Sequence, residues 1–163
     1  MKFYWILYLF VFLNVEAFTQ QKNIEKDSVS LNKGHAVFYH LKISQTTNKL
    51  IVAVQGCYSN GFNFANEVTS FASSINTDVV SVENNSRPFL NTQALKNIIS
   101  KVNQNAQYKE IYFLGFSCNA ASGIAYGLEN DIQWKGIIAF MPALDRVPFS
   151  YYAFGKTFCP IVI

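Results

Sequence analysis

Three groupings of residues in this 163-residue sequence could do chemistry. The first is Gly115-Phe116-Ser117-Cys118-Asn119, preceded by the apolar run Ile111 to Leu114 and followed by Ala120, Ala121 and Ile124 at helical spacing. That pattern has a buried strand meeting a helix at Ser117. So sharp a turn holds the residue at its apex in a strained backbone conformation and lifts its oxygen off the top of the sheet, where it can attack an acyl carbon. The turn needs small residues two before and two after the serine. Gly115 meets the first demand and Asn119 meets the second in part. With Cys118 at the apex instead, bulky Phe116 would stand at the crowded position, so Ser117 is the better nucleophile. The plainer alternative is an ordinary strand-to-helix turn in which Ser117 caps the helix.

The second grouping is the loop Gly56-Cys57-Tyr58-Ser59-Asn60-Gly61, which follows a buried strand from Leu50 to Gln55. The third consists of the acids and bases that could serve a nucleophile. The sequence has two histidines, His35 and His40, both far before Ser117, and Asp145 follows a strand-like run at 135–141.

The elbow and its order along the chain resemble the α/β-hydrolase family, whose elbow is G-x-S-x-G and whose loop after the third strand is opened by His-Gly, here Gln55-Gly56. The resemblance covers residues 36 to 163. It implies Ser117 as nucleophile, with the N–H groups of Cys118 and of Cys57 or Tyr58 forming an oxyanion hole for a tetrahedral intermediate. It further implies a small-molecule ester or amide substrate and no cofactor. In the family the strand resembled by Phe158 to Ile163 precedes the acidic triad member, and the histidine comes later still. The sequence ends at Ile163, so the expectation is a domain incomplete at its C-terminus and an impaired site. A minority of the family takes its acid from the region of Asp145, although a surface aspartate beside Arg146 is the plainer reading. His40 alternates within a strand and His35 sits in a turn, so neither is expected to serve Ser117.

Positioning these residues requires strands at 36–43, 50–55, 78–83, 110–115, 135–141 and 158–163, alternating with helices at 62–75, 91–104 and after Ser117. Such alternation predicts an α/β fold: a mostly parallel, doubly wound sheet with helices on both faces. The strand at 110–115 should be central, with 50–55 and then 78–83 on one side and 135–141 and then 158–163 on the other. The helices at 62–75 and 91–104 are expected on one face and the helix after Ser117 on the other. Residues 18–35 read as a loose N-terminal arm, and 36–163 as the one domain.

Residues 1–17 have the pattern of a signal peptide: Lys2, the apolar run Phe3 to Leu13, then small residues in Val15-Glu16-Ala17. The run falls short of the roughly 20 apolar residues that span a bilayer, so the mature chain should have no stable membrane span and should be secreted or periplasmic. Its removal takes away Lys2 and Glu16 and leaves the net charge at +3. The remaining basic residues are scattered, which argues against a nucleic-acid partner. Asn84-Asn85-Ser86 matches a glycosylation sequon. Cys57, Cys118 and Cys159 are an odd set for an oxidising compartment. A Cys57–Cys118 disulfide would stiffen or block the site, so two buried free thiols are the favoured reading. No cysteine–histidine spacing resembles a metal site. Two other functions fit the same elements: a non-catalytic hydrolase-like binding protein, and a flavodoxin-like domain binding a ligand at the carboxyl ends of its strands.

Overall fold

Runs of β-branched and aromatic residues alternate with segments that repeat an apolar residue every third or fourth position. In the computed structural model, which describes residues 23–56, 60–83, 92–128, 132–140 and 161–162, these runs become one sheet with helices on both faces. The strands are β1 (Ile24–Ser30), β2 (His35–Leu41), β3 (Lys49–Val54), β4 (Asp78–Val82), β5 (Glu110–Phe116), β6 (Gly136–Phe140) and β7 (Ile161–Val162). The helices are α1 (Gly61–Ser74), α2 (Thr92–Ala106) and α3 (Cys118–Leu128). The order across the sheet is β1-β2-β4-β3-β5-β6-β7. The strands from β3 to β7 run parallel, while β1 and β2 form an antiparallel hairpin against β4. The crossed order expected from the sequence is therefore present, with β5 central.

The distribution of the helices differs from expectation. Ile51, Ala53 and Val79 pack with Phe64, Val68 and Ala72 of α1 on one face. Val52, Val54, Val80 and Val82 pack with Leu95, Ile98 and Val102 of α2 on the other, which also receives Tyr126 of α3. So α1 stands alone and α2 shares a face with α3. Handedness explains it. The crossover from β3 to β4 steps across the sheet in one direction, and the crossover from β4 to β5 steps back over β3. A right-handed connection that reverses direction must change face. The step from β5 to β6 continues in the second direction, so α3 stays with α2.

The central strands are apolar on both sides because both faces are covered. Leu50, Val52, Val54, Val80 and Phe113 are fully buried, each contributing about 1.5–3 kcal/mol of hydrophobic stabilisation. Residues 24–30, expected to be part of a loose arm, instead pair with β2 along its whole length, from Ile24 opposite Leu41 to Ser30 opposite His35. IEKDSVS carries little hydrophobic signal because the strand lies at the sheet's edge with most of its side chains in solvent. No helix among the described residues is long and apolar enough to cross a membrane.

Candidate active site

Ser117 stands between the end of β5 and the start of α3 with φ +56°, a left-handed conformation that a residue with a side chain adopts at a cost. Its backbone is held from both sides. The Ser117 N–H donates to the Phe140 carbonyl at 3.0 Å, extending the β5–β6 ladder by one bond, and its carbonyl accepts from Ala120 N at 3.0 Å. Strand and helix thus join with no linker, and Ser117 absorbs the whole change of direction. Gly115 is demanded by this turn: a Cβ there would lie 2.6 Å from the Asn119 carbonyl oxygen and 2.7 Å from Ala120 Cα. Among the described residues the Ser117 hydroxyl makes no hydrogen bond.

A second helix start shows what a capping residue looks like in the same molecule. Asn60 precedes α1 with extended backbone, φ −119° and ψ 158°, and its side chain accepts from Asn63 N at 2.8 Å. Glu83, at the end of β4, accepts from the Gly61 N–H at 2.7 Å and serves the same helix terminus. Ser117 has neither that backbone conformation nor that bond.

The loop after β3 approaches the elbow closely. A Cβ on Gly56 would lie 3.1 Å from the Phe116 ring and 3.4 Å from Ser117 Cβ. One residue earlier, the fully buried Gln55 accepts on its carbonyl a hydrogen bond from Asn119 Nδ2, at 2.5 Å. Asn119 stands where the elbow pattern asks for a small residue, and its side chain is used to hold the neighbouring loop. Sequence reading saw only a partial mismatch at this position. Beside the serine, the rings of Phe116 and Phe140 stack at 5.6 Å and stay partly exposed, leaving an apolar surface at the carboxyl edge of the sheet.

Of the expected oxyanion donors, Cys118 opens α3 directly after Ser117, in the first helical turn, where N–H groups do not bond within the helix. Cys57 and Tyr58 lie outside the described residues, as do Asp145, the sequon and residues 1–17. Cys118 is disulfide-bonded, which corrects the expectation of a free thiol there. The chain's other cysteines, Cys57 and Cys159, are both outside the described residues.

Both histidines sit in the β1–β2 hairpin, away from Ser117. His35 is exposed, its Nδ1 3.5 Å from Ser30 Oγ. His40 is buried at the opposite edge of the sheet, where the parallel strands begin. The Tyr108 hydroxyl donates to Asp78 Oδ2 at 2.5 Å and lies 3.0 Å from His40 Nε2, so its oxygen accepts and Nε2 carries the proton. Asp78 Oδ1 accepts from Ile43 N at 2.7 Å and Ser44 N at 3.3 Å. Burial holds the His40 imidazole below its ordinary pKa, with Asp78 opposing that shift, and burial also pushes the Tyr108 hydroxyl well up, reinforced by its bond to Asp78. Sequence reading missed this network because its members are 30 and 68 positions apart.

The fold is shared with solved hydrolases. The Pyrococcus furiosus esterase Pf2001 superposes with a TM-score of 0.60 at 16% identity, over 82% of this chain and 59% of its own. The Staphylococcus aureus fluorophosphonate-binding serine hydrolase FphF gives a TM-score of 0.61 at 11% identity, over 74% of this chain and 57% of its own. An arylesterase gives 0.60 at 14% identity, over 82% and 56%. The chain therefore has the α/β-hydrolase fold and spans between half and two thirds of the length of these proteins. No family model matches the sequence, and neither does any curated protein.

Proposed function

We propose that this chain carries the nucleophile of a serine hydrolase acting on a small-molecule ester, amide or related acyl bond. The observation that supports it most is the left-handed backbone of Ser117, φ +56°, at a strand-to-helix turn on the central strand of an α/β-hydrolase sheet. A non-glycine residue bears that strain only when its surroundings impose it, and such sites are commonly functional. In this reading Ser117 Oγ attacks the acyl carbon, and the N–H groups of Cys118 and of Cys57 or Tyr58 stabilise the oxyanion. The reading extends to export through residues 1–17.

Neither histidine can take the serine's proton: His40 is committed to Tyr108, and His35 lies at the start of β2. A serine without a base stays protonated and is a weak nucleophile. Oxyanion stabilisation and binding alone still leave roughly 10³–10⁴-fold catalysis over water. A second reading is a non-catalytic hydrolase-like binding protein that holds a ligand above Ser117 without chemistry. A fluorophosphonate probe separates the two. Slow covalent labelling at Ser117, abolished by Ser117→Ala and accelerated in a product that supplies an acid and a histidine, supports the hydrolase. No labelling even in that product, together with reversible binding of esters, would establish the binding protein.

A further inference from the structure

We propose that Phe116 and Phe140 form an aromatic shelf that binds the substrate beside Ser117, so that the preferred substrate carries an uncharged aromatic substituent next to its reacting carbonyl. The two residues face each other across the ends of β5 and β6. Side chains alternate along a strand, and the preceding pair points towards α3: Ala139 packs with Ala120 and Ile124, and a Cβ on Gly115 would meet Asn119 and Ala120. Phe116 and Phe140 therefore stand on the other face. There α1 covers Ile51, Ala53 and Val79 of β3 and β4, and the two rings stay 36% and 56% exposed. The other large apolar side chains exposed among the described residues, Phe62, Phe71 and Ile75, lie in α1 or directly after it.

The shelf is fixed relative to the serine by three contacts. Phe116 is the residue before Ser117, and the Phe140 carbonyl accepts the Ser117 N–H at 3.0 Å. The rings stack on each other at 5.6 Å with 21° between their planes, within the range favoured for offset pairs. On its other side the Phe116 ring rests on Gly56, where a Cβ would lie 3.1 Å from Phe116 Cδ1 and 3.4 Å from Ser117 Cβ. One point on Gly56 thus touches both the ring and the serine side chain, so the two are neighbours on the same side of that backbone. Glycine at this position leaves the ring its place.

The size and chemistry of the patch select its occupant. An aromatic side chain buries about 150–250 Å² when fully covered, so the exposed parts of two such rings offer about 200 Å² at most, against the roughly 800 Å² per partner of a stable protein interface. A small molecule fits that area and a protein does not. Among the described residues around the serine, Gly56, Phe116, Cys118, Asn119 and Phe140, none is charged, and a charged group laid on two phenyl rings would lose its hydration without a partner. An aromatic group gains by stacking as well as by leaving water. The effect on rate rests on Ser117 being the nucleophile; binding to the shelf does not.

The test compares, on the full chain, two fluorophosphonates that differ only in the substituent kept on phosphorus, benzyl or methyl. In each, Ser117 Oγ bonds to phosphorus, fluoride leaves and the hydroxyl proton passes to solvent. The benzyl probe should label at least about tenfold faster, the lower end of what one apolar group contributes to discrimination. Phe140→Ala should cut that ratio at least about threefold, as expected for the loss of one stacking ring, and Phe140→Tyr, which keeps the ring, should preserve it. Phe71→Ala, which removes an exposed ring of α1, should leave the ratio unchanged. Equal rates for the two probes, or a ratio that survives Phe140→Ala, would overturn the shelf and leave the hydrolase standing. Reversible binding of benzyl methyl ketone, followed by ligand-observed NMR, needs no reaction and should weaken in Phe140→Ala. Ketone binding that depends on Phe140 in a chain that neither probe labels would keep the shelf and remove the hydrolase. No ketone binding, or a dimer that Phe140→Ala converts to monomer, would overturn the shelf itself.

Discussion

At the edge of the sheet where the parallel strands begin, Asp78 takes donors from Ile43, Ser44 and Tyr108, and the Tyr108 hydroxyl in turn accepts from His40. At the edge where they end, the Ser117 hydroxyl has no hydrogen-bond partner among the described residues, its backbone is left-handed, and two phenylalanine rings beside it are partly exposed. Both regions hold a hydroxyl, and the first also holds a carboxylate and an imidazole. Composition alone would therefore single out the first region as the candidate for catalysis. Polar groups that satisfy one another under cover stabilise a fold, whereas a polar group kept unsatisfied on a strained backbone is available for reaction.

The comparison is broken most severely at its stable end. Asp78→Ala removes the shared acceptor and leaves the buried Tyr108 hydroxyl and the part-buried Ile43 and Ser44 N–H groups without it; at about 1–3 kcal/mol for a buried donor and less for a part-buried one, a total loss of about 4 kcal/mol is expected in urea unfolding. Asp78→Asn, which keeps the shape and one acceptor oxygen, should lose about half of that. A loss below about 1 kcal/mol for the alanine variant would mean that water replaces the carboxylate and that this edge is less closed than its burial indicates.

At the Ser117 end the corresponding test is steric. Gly115→Ala forces a methyl group against the backbone of Asn119 and Ala120, neither of which can swing aside. Overpacking of this kind costs about 2–3 kcal/mol, and the elbow should shift, so fluorophosphonate labelling should fall along with the melting temperature. Normal labelling in a fully stable Gly115→Ala variant would show that the turn is not held as tightly as the contacts imply.

Ser117→Gly sharpens the contrast because it should raise stability. Glycine takes φ near +56° without the steric cost that a side chain pays, a relief of about 1–2 kcal/mol, partly offset by the greater freedom of glycine in the unfolded chain. A net gain near 1 kcal/mol, with all labelling lost, is expected. Ser117→Ala should also lose labelling but gain nothing, since alanine keeps the strain. If both variants are equally stable, the strain at Ser117 is not real and the main support for a functional elbow goes with it.

Much of this was legible in the sequence, for identifiable reasons. The strand order follows from alternating buried runs and the handedness of crossovers, and the elbow from a glycine and a serine at fixed spacing between a strand and a helix. The assignment of helices to faces failed because the reversal of direction at β3 was not carried through to its consequence. Strand β1 was missed because an edge strand with solvent on most of its side chains has no hydrophobic signature. The Asn119–Gln55 bond and the disulfide of Cys118 depend on which loops the fold brings together, and the His40 network depends on three segments meeting. Local pattern carries none of these.

The smallest expected effect is the pH dependence of the His40 edge. Burial lowers the folded-state pKa of His40 below its ordinary value; Asp78 and Glu25 act against that shift and Lys42 adds to it, while Tyr108 accepts the Nε2 proton. A depressed histidine pKa means that the unfolded chain binds the proton first. The stabilisation tied to neutral His40 is thus fully present above about pH 6.5, the ordinary histidine value, and is lost as the pH falls towards the folded-state value. The melting temperature of the wild-type chain should accordingly decline through this window. His40→Gln keeps a donor for Tyr108 but cannot titrate, so its melting temperature should be lower than wild type at pH 8 and should vary less between pH 7 and pH 5. An identical slope in the variant would show that another group governs acid stability and that the buried network contributes through its hydrogen bonds alone. That outcome would leave Ser117 and His40 differing in strain and burial but not in their response to protons.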